Sequence, residues 1–397
     1  MYHSERWGTL QSRYEDPERP HRLLALDGGG IRGLITLSLL ERLESLLAER
    51  SDNAKNFRLC QWFDYIAGTS TGAIIAAGLA RGMSVQELIQ FYRDSGQAMF
   101  ESTHLMQRLI SFYQADPLRE KLRKVFGADT TLEPKHLQCL LLVVTQNITT
   151  DSPWPISSNP DAVFNDPSGK DCNLRIPLWQ LVRASTAAPV YFPPEILRWD
   201  PDDESKAFVF VDGGVTPYNN PAFLLYRMAT SARYRLGWKT GERKLLLVSV
   251  GTGAAATPTF KSKMNLASNA LGLPGHLMYA IQVDQDINCR TVGRCTYGSM
   301  IDRELQDLTC RVAPDFSSRD EWLKSPHRSL DEDLGRDFLY ARYNADLSRE
   351  GLNAIGFSDI EPEDVQQMDS VKHIDELLRI GRAVGQQVSL SHFGSFV

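Results

Sequence analysis

Apolar residues along this chain follow two rhythms. Predominantly apolar runs such as Leu23-Leu24-Ala25-Leu26, Trp62-Phe63-Asp64-Tyr65-Ile66-Ala67, Cys139-Leu140-Leu141-Leu142-Val143-Val144-Thr145, Phe208-Val209-Phe210-Val211 and Leu245-Leu246-Leu247-Val248 have the length and composition of buried strands. Between them the spacing turns helical: Leu34, Leu37, Leu40, Leu43, Leu46 and Leu47 share one stripe, and Ala73–Ala80 is a run of small apolar residues suited to close packing on a sheet. Strand and helix patterns alternate from Leu23 through Gly253. This predicts an α/β fold, a mostly parallel central sheet flanked by helices.

Elsewhere the pattern is less regular. Residues 85–126 read as a helical insertion, in which Met99-Phe100, Leu105-Met106, Leu109-Ile110 and Phe112-Tyr113 share an apolar face with Arg108 and Lys121 nearby. Such a stripe fits core packing first, and a lid or membrane-facing wall second. Residues 151–170, with Pro153, Pro155, Pro160 and Pro167, read as a loop. Residues 261–328 mix helical and irregular composition, and a C-terminal helical segment is expected over 330–390, including Phe338-Leu339-Tyr340-Ala341-Arg342-Tyr343-Asn344. Near its end Val371, Ile374, Leu377, Leu378, Val384 and Val388 share a helical face, with Asp369 or Ser370 as N-cap. Residues 1–20 are a polar arm, and residues 21–390 form the body.

At 397 residues with 42% hydrophobic content, the chain can bury one large core, and a net charge of −6 argues against a nucleic-acid partner. The six cysteines lack paired zinc-type spacing and read as reduced thiols. Asp202-Asp203-Glu204 lacks the frame of a calcium loop. No metal or other cofactor is therefore expected. The first residues carry no apolar export signal, and no apolar run approaches a bilayer span, so a soluble cytoplasmic protein is expected.

The chemistry concentrates at three glycine turns, each at a strand end. Gly68-Thr69-Ser70-Thr71-Gly72 follows a strand and opens a helix, the pattern of a nucleophile elbow. Asp27-Gly28-Gly29-Gly30-Ile31-Arg32-Gly33 joins a strand to a helix and presents backbone N–H groups at the positive end of a helix dipole, so it can hold an anion. That anion is either a phosphate, disfavoured by Asp27 at the mouth and by spacing that fits no nucleotide motif, or the oxyanion of an acyl intermediate. Asp212-Gly213-Gly214, followed by Asn219-Asn220-Pro221, sets a carboxylate at the third turn. A serine needs a base. No histidine follows a strand end as a triad would require, and His21, the nearest to one, precedes its strand. Asp212 is the better candidate. An ordinary aspartate, with a pKa near 3.9, is a weak base, so burial or strong oxyanion stabilisation must help it.

Together these three motifs resemble the patatin-like phospholipase family. Two further segments support the resemblance, Ala184-Ser185-Thr186-Ala187-Ala188-Pro189-Val190-Tyr191-Phe192-Pro193-Pro194 and Leu245-Leu246-Leu247-Val248-Ser249-Val250-Gly251-Thr252-Gly253, so that it spans residues 20–390. It implies a three-layer patatin-like fold, Ser70 as nucleophile, Asp212 as general base, and the amides of Gly28, Gly29 and Gly30 as oxyanion hole with Arg32 nearby. The activity implied is lipid acyl hydrolysis at a membrane surface, with a phospholipid substrate and peripheral membrane contact. An acyltransferase using the same serine and a nucleotide-binding module using the glycine loop are the alternatives. A pure interaction protein fits least. Bacterial members of similar length include cyclic-oligonucleotide-activated antiphage effectors, which implies a cyclic oligonucleotide activator here by analogy; a homodimer is a further option.

Overall fold

The computed structural model describes residues 4–16, 18–100, 117–169, 171–189, 191–200, 203–255, 266–299 and 335–397. Among these residues nine strands form one sheet: β1 (His21–Leu26), β2 (Tyr65–Thr69), β3 (Leu140–Asn147), β4 (Ser152–Ser157), β5 (Glu195–Arg198), β6 (Ala207–Asp212), β7 (Leu245–Val250), β8 (Arg294–Tyr297) and β9 (Leu339–Tyr343). Their order is β5-β6-β3-β2-β1-β7-β9-β8, with β4 also paired to β3. The block from β3 through β8 is parallel, whereas β4, β5 and β6 pair antiparallel.

Side chains alternate across the sheet and feed two apolar layers. On one face Leu24, Leu26, Ile66, Leu141, Val143, Leu246 and Val248 join a cluster with helices α1 (Gly33–Ala48), α2 (Thr71–Ala80) and α3 (Leu178–Ser185). On the other, Leu23, Ala25, Tyr65, Ala67, Leu142, Leu245 and Leu247 pack with α4 (Ala222–Thr230) and with Trp7, Leu10 and Tyr14. The last long helix, α5 (Ile374–Gly385), lies against α1, where Gly381 contacts Ile35 and Ser38. The result is helix–sheet–helix, the α/β layering expected from the alternation.

Several local expectations differ from the structure. The first residues are polar in composition, yet Trp7, Leu10 and Tyr14 are buried, and Arg13 donates to Asp64 and to the carbonyls of Cys60, Gln61, Phe63 and Gln138. Burial opposes the charge on Asp64, but Arg13 and Arg19, with His21 beside it, lower its pKa to about 2. Ser152–Ser157, read as loop, is strand β4; its prolines Pro153 and Pro155 are tolerated on a sheet margin. Phe338–Asn344, read as helical, contains β9, whose residues are all buried. A strand covered on both faces shows no alternation to tell it from a buried helix. At the C-terminus α5 is preceded by a 3-10 turn, Val371–His373, and His373 occupies its N-cap position without a side-chain cap.

Of the apolar stripe in the insertion, Met99 is fully buried, while Leu105 to Tyr113 lie outside the described residues. Among the described residues no helix is long and apolar enough to cross a membrane, and Cys60, Cys139, Cys172, Cys289 and Cys295 are free thiols.

Candidate active site

The register of β3 sets the geometry of the site. On one edge β3 pairs with β2, whose last residue Thr69 stands opposite Val144. The other edge is occupied by β4 across Leu142–Asn147. Strand β6, which pairs Asp212 with Thr145, therefore runs along the β2 edge in the opposite direction. β2 and β6 thus meet end to end, and the residues at their tips, Ser70 and Asp212, face each other. Asp212 ends a strand, as the pattern indicates, but that strand enters from beyond the carboxyl edge of the parallel block.

Ser70 adopts φ 55° and ψ −124° between β2 and α2, a strained conformation held by its surroundings. A Cβ on Gly68 would stand 2.1 Å from the Gly72 carbonyl oxygen, and one on Gly72 would stand 2.3 Å from that of Leu26. Both flanking glycines are therefore required by close backbone approach. The Ser70 N–H donates to Ser185 Oγ at 3.0 Å, and Ser185 in turn donates to the Val144 carbonyl at 2.7 Å. This locks the elbow to β3.

Ser70 Oγ donates to Asp212 Oδ2 at 2.7 Å, and the Gly214 N–H donates to Asp212 Oδ1 at 2.7 Å. Burial raises the Asp212 pKa to about 6, against the pull of Ser70, Gly214 and the charge of Arg183. The carboxylate is thus a far better base than an exposed aspartate. Among the described residues the partners of Ser70 and Asp212 include no histidine; His21 sits at the start of β1, stacked on Trp238 at 3.8 Å.

The glycine loop follows β1 directly beside the elbow: a Cβ on Gly28 would lie 3.2 Å from Ser70 Cβ. Its amides are used unevenly. Gly28 N–H, expected among the oxyanion donors, donates to the Asn219 carbonyl at 3.0 Å; Ile31 N–H donates to Met368 O at 2.9 Å, and Arg32 N–H to Gly29 O at 3.3 Å. Among the described residues, the Gly29 and Gly30 N–H groups have no acceptor. Gly30 has φ +61°, and a Cβ there would meet Met368 O at 2.2 Å. Arg32 is buried, its Nε reaching Gly29 O at 3.4 Å, and burial lowers its pKa to about 10.

Asp27 is not at an open mouth. It is fully buried and held by Arg342 of β9, whose Nη1 also donates to Ser249 Oγ at 2.6 Å. Burial pushes the Asp27 carboxyl up from its ordinary range, opposed by Arg342. Thr252 completes the cradle, donating from Oγ1 to Gly28 O at 2.9 Å.

Ser185, Asn219 and Thr252 lie in segments that stand out in the sequence, but nothing marks their roles before the fold brings them together. Arg342 has one signal, a lone charge within Phe338-Leu339-Tyr340-Ala341-Arg342-Tyr343. The assembled site has a hydroxyl bonded to a near-neutral base, with two uncommitted amides on the adjacent loop. That is equipment for nucleophilic attack on a carbonyl.

Residues 24–226 match the family described as Patatin-like phospholipase. Over 210 residues the chain is 31% identical to a cGAMP-activated phospholipase of Escherichia coli, covering 51% of this chain and 54% of that protein. A cGAMP-activated phospholipase of Vibrio cholerae is 32% identical over 222 residues, 53% of this chain and 58% of its own length. Patatin-17 of Solanum cardiophyllum is 30% identical over 278 residues, 66% of this chain and 67% of that protein. The chain thus spans little more than half the length of the two bacterial relatives.

Proposed function

The chain belongs to the patatin-like phospholipase family, and on that premise we propose that it is a lipid acyl hydrolase in which Ser70 is the nucleophile and Asp212 its base. The observation that carries this reading is the 2.7 Å hydrogen bond from Ser70 Oγ to Asp212 Oδ2 at a strained elbow. As Oγ bonds to the ester carbonyl carbon, its proton passes to Asp212. The charge on the carbonyl oxygen is met by the Gly29 and Gly30 amides. Collapse of the intermediate breaks the bond to the lysolipid oxygen, which leaves with the proton from Asp212. Water then attacks the acyl-enzyme, giving a proton to Asp212, and as the fatty acid departs Asp212 returns that proton to Ser70 Oγ, restoring both residues.

The loop favours this chemistry over phosphate binding. Gly28, Ile31 and Arg32 already spend their N–H groups within the protein, which leaves a pair of amides suited to a single oxygen. The substrate would be a phospholipid or lysophospholipid reached by peripheral contact with a membrane. If water were replaced by an alcohol or thiol acceptor, the same centre would act as an acyltransferase. Fatty-acid release from phospholipid vesicles tests the reading: Ser70→Ala and Asp212→Asn should each abolish it, and activity of Ser70→Ala within a few fold of the parent would overturn it.

The two bacterial relatives are named as cGAMP-activated phospholipases, which favours a second, finer proposal: a cyclic oligonucleotide activates this chain as part of antiviral defence. Hydrolysis measured with and without a panel of cyclic dinucleotides and trinucleotides tests it. Full activity without any of them would sink the gating proposal and leave the hydrolase reading intact.

A further inference from the structure

Asn219 lies behind the Ser70–Asp212 pair with its side chain unsatisfied. The residue is fully buried, and neither Oδ1 nor Nδ2 has a hydrogen-bond partner. Burying an amide without partners is costly, so a group left in this state at a reactive centre calls for a reason. Its backbone is not idle: the carbonyl accepts the Gly28 N–H at 3.0 Å and ties the segment before α4 to the glycine loop.

The position of the amide identifies what it can serve. A Cβ placed on Gly28 would stand 2.3 Å from Asn219 Oδ1 and 3.2 Å from Ser70 Cβ. A Cβ placed on Gly214 would stand 3.0 Å from Asn219 Oδ1 and 3.0 Å from Asp212 Oδ1. The amide therefore sits among the glycine loop, the nucleophile and the base. The oxygen and nitrogen ends of an amide have the same shape, and neither is fixed by a partner here. A half-turn of the side chain would put Nδ2 in the place of Oδ1, on the side of Gly214 where Asp212 Oδ1 also lies.

We propose that Asn219 is a positioning residue of the site, its Nδ2 donating a hydrogen bond to Asp212 Oδ1 during catalysis. The inference rests on the reading of Ser70 and Asp212 as nucleophile and base. The other groups acting on the Asp212 carboxyl are the Ser70 hydroxyl, the Gly214 N–H and the charge of Arg183 on α3. Each of them favours the ionised form in an apolar surrounding, and the Asn219 donor adds to that set. It also fixes the carboxylate plane, so that Oδ2 stays aimed at Ser70 through both half-reactions.

The test is the pH dependence of kcat/KM on a soluble acyl ester for the parent, Asn219→Leu and Asn219→Asp, with fluorophosphonate labelling of Ser70 in the parent alongside. Leucine keeps the bulk and removes the donor. The acidic limb should move up by about one pH unit, and kcat should fall about tenfold with KM near that of the parent. Aspartate puts a second carboxylate beside the first and should move the limb further. If the parent is not labelled at Ser70, the underlying reading fails. If it is labelled and the Leu variant keeps the parent's limb and kcat, the inference about Asn219 alone is overturned. Where the Leu variant does not fold, the isosteric Asp variant decides by the same limb, a parent-like profile overturning the inference.

Discussion

Arg342 grips Asp27 by both carboxylate oxygens, Nη1 at 2.9 Å from Oδ1 and Nη2 at 2.5 Å from Oδ2, with both residues buried. Asp27 opens the glycine loop, whereas Arg342 lies on β9, well beyond the residues 24–226 that match the family. Met368 O and Thr252 Oγ1 bear on the same loop. The loop beside Ser70 is therefore held from the C-terminal part of the chain.

Removing one partner of this pair strands a buried charge. Arg342→Met should cost about 3–5 kcal/mol of stability. The double variant Asp27→Asn/Arg342→Met should be less destabilised than Arg342→Met alone. Chemical denaturation of the parent and the two variants checks this, and a double variant no more stable than Arg342→Met would contradict it.

Ser70 carries strain because the elbow demands it, with φ at 55°. Glycine tolerates this region and alanine does not. Ser70→Gly should therefore be more stable than Ser70→Ala by about 1 kcal/mol, with both lacking hydrolysis. Equal melting temperatures would argue that the elbow is relaxed.

The elbow was legible in the sequence because its glycines answer to a local requirement, close contact with the Gly72 and Leu26 carbonyls. Asp212 was legible for the same local reason, a carboxylate at a glycine turn after an apolar run. That it meets Ser70 from an antiparallel strand was not, since pairing direction depends on register between distant segments. Nor was the division of labour among the loop amides. Gly28 donates to Asn219 O and Ile31 to Met368 O, partners remote in sequence that no local pattern announces. Helix against strand failed at Leu339–Tyr343, where burial on both faces erases the period.

The raised pKa of Asp212 makes two signed predictions. With Asp212 as the proposed base, activity needs the ionised carboxylate, so kcat/KM should rise with pH through about 6. For stability the folded value of about 6 lies above the ordinary 3.8. The folded state then binds more protons between those values, and stability falls as pH rises through that window. Asp212→Asn removes this loss and should be more stable than the parent at pH 7.5 by up to about 3 kcal/mol, with the gap closing toward pH 4. Thermal unfolding across pH measures it; a gap independent of pH would contradict the shift.

Gly30→Ala tests the loop. The added Cβ meets Met368 O at 2.2 Å, and φ is +61°, so the amides must move. A loss of about 10²–10³-fold in kcat is expected if they hold the oxyanion. Unchanged ester turnover would remove the loop from the chemistry.

Every step of the proposed mechanism passes through an acyl-enzyme on Ser70. Its most direct measurement is mass-spectrometric mapping of the covalent adduct left by a fluorophosphonate or a slowly released acyl ester. One adduct is expected, on Ser70, absent in Ser70→Ala and slowed in Asp212→Asn. An adduct on another residue, or hydrolysis persisting in Ser70→Ala, would contradict it.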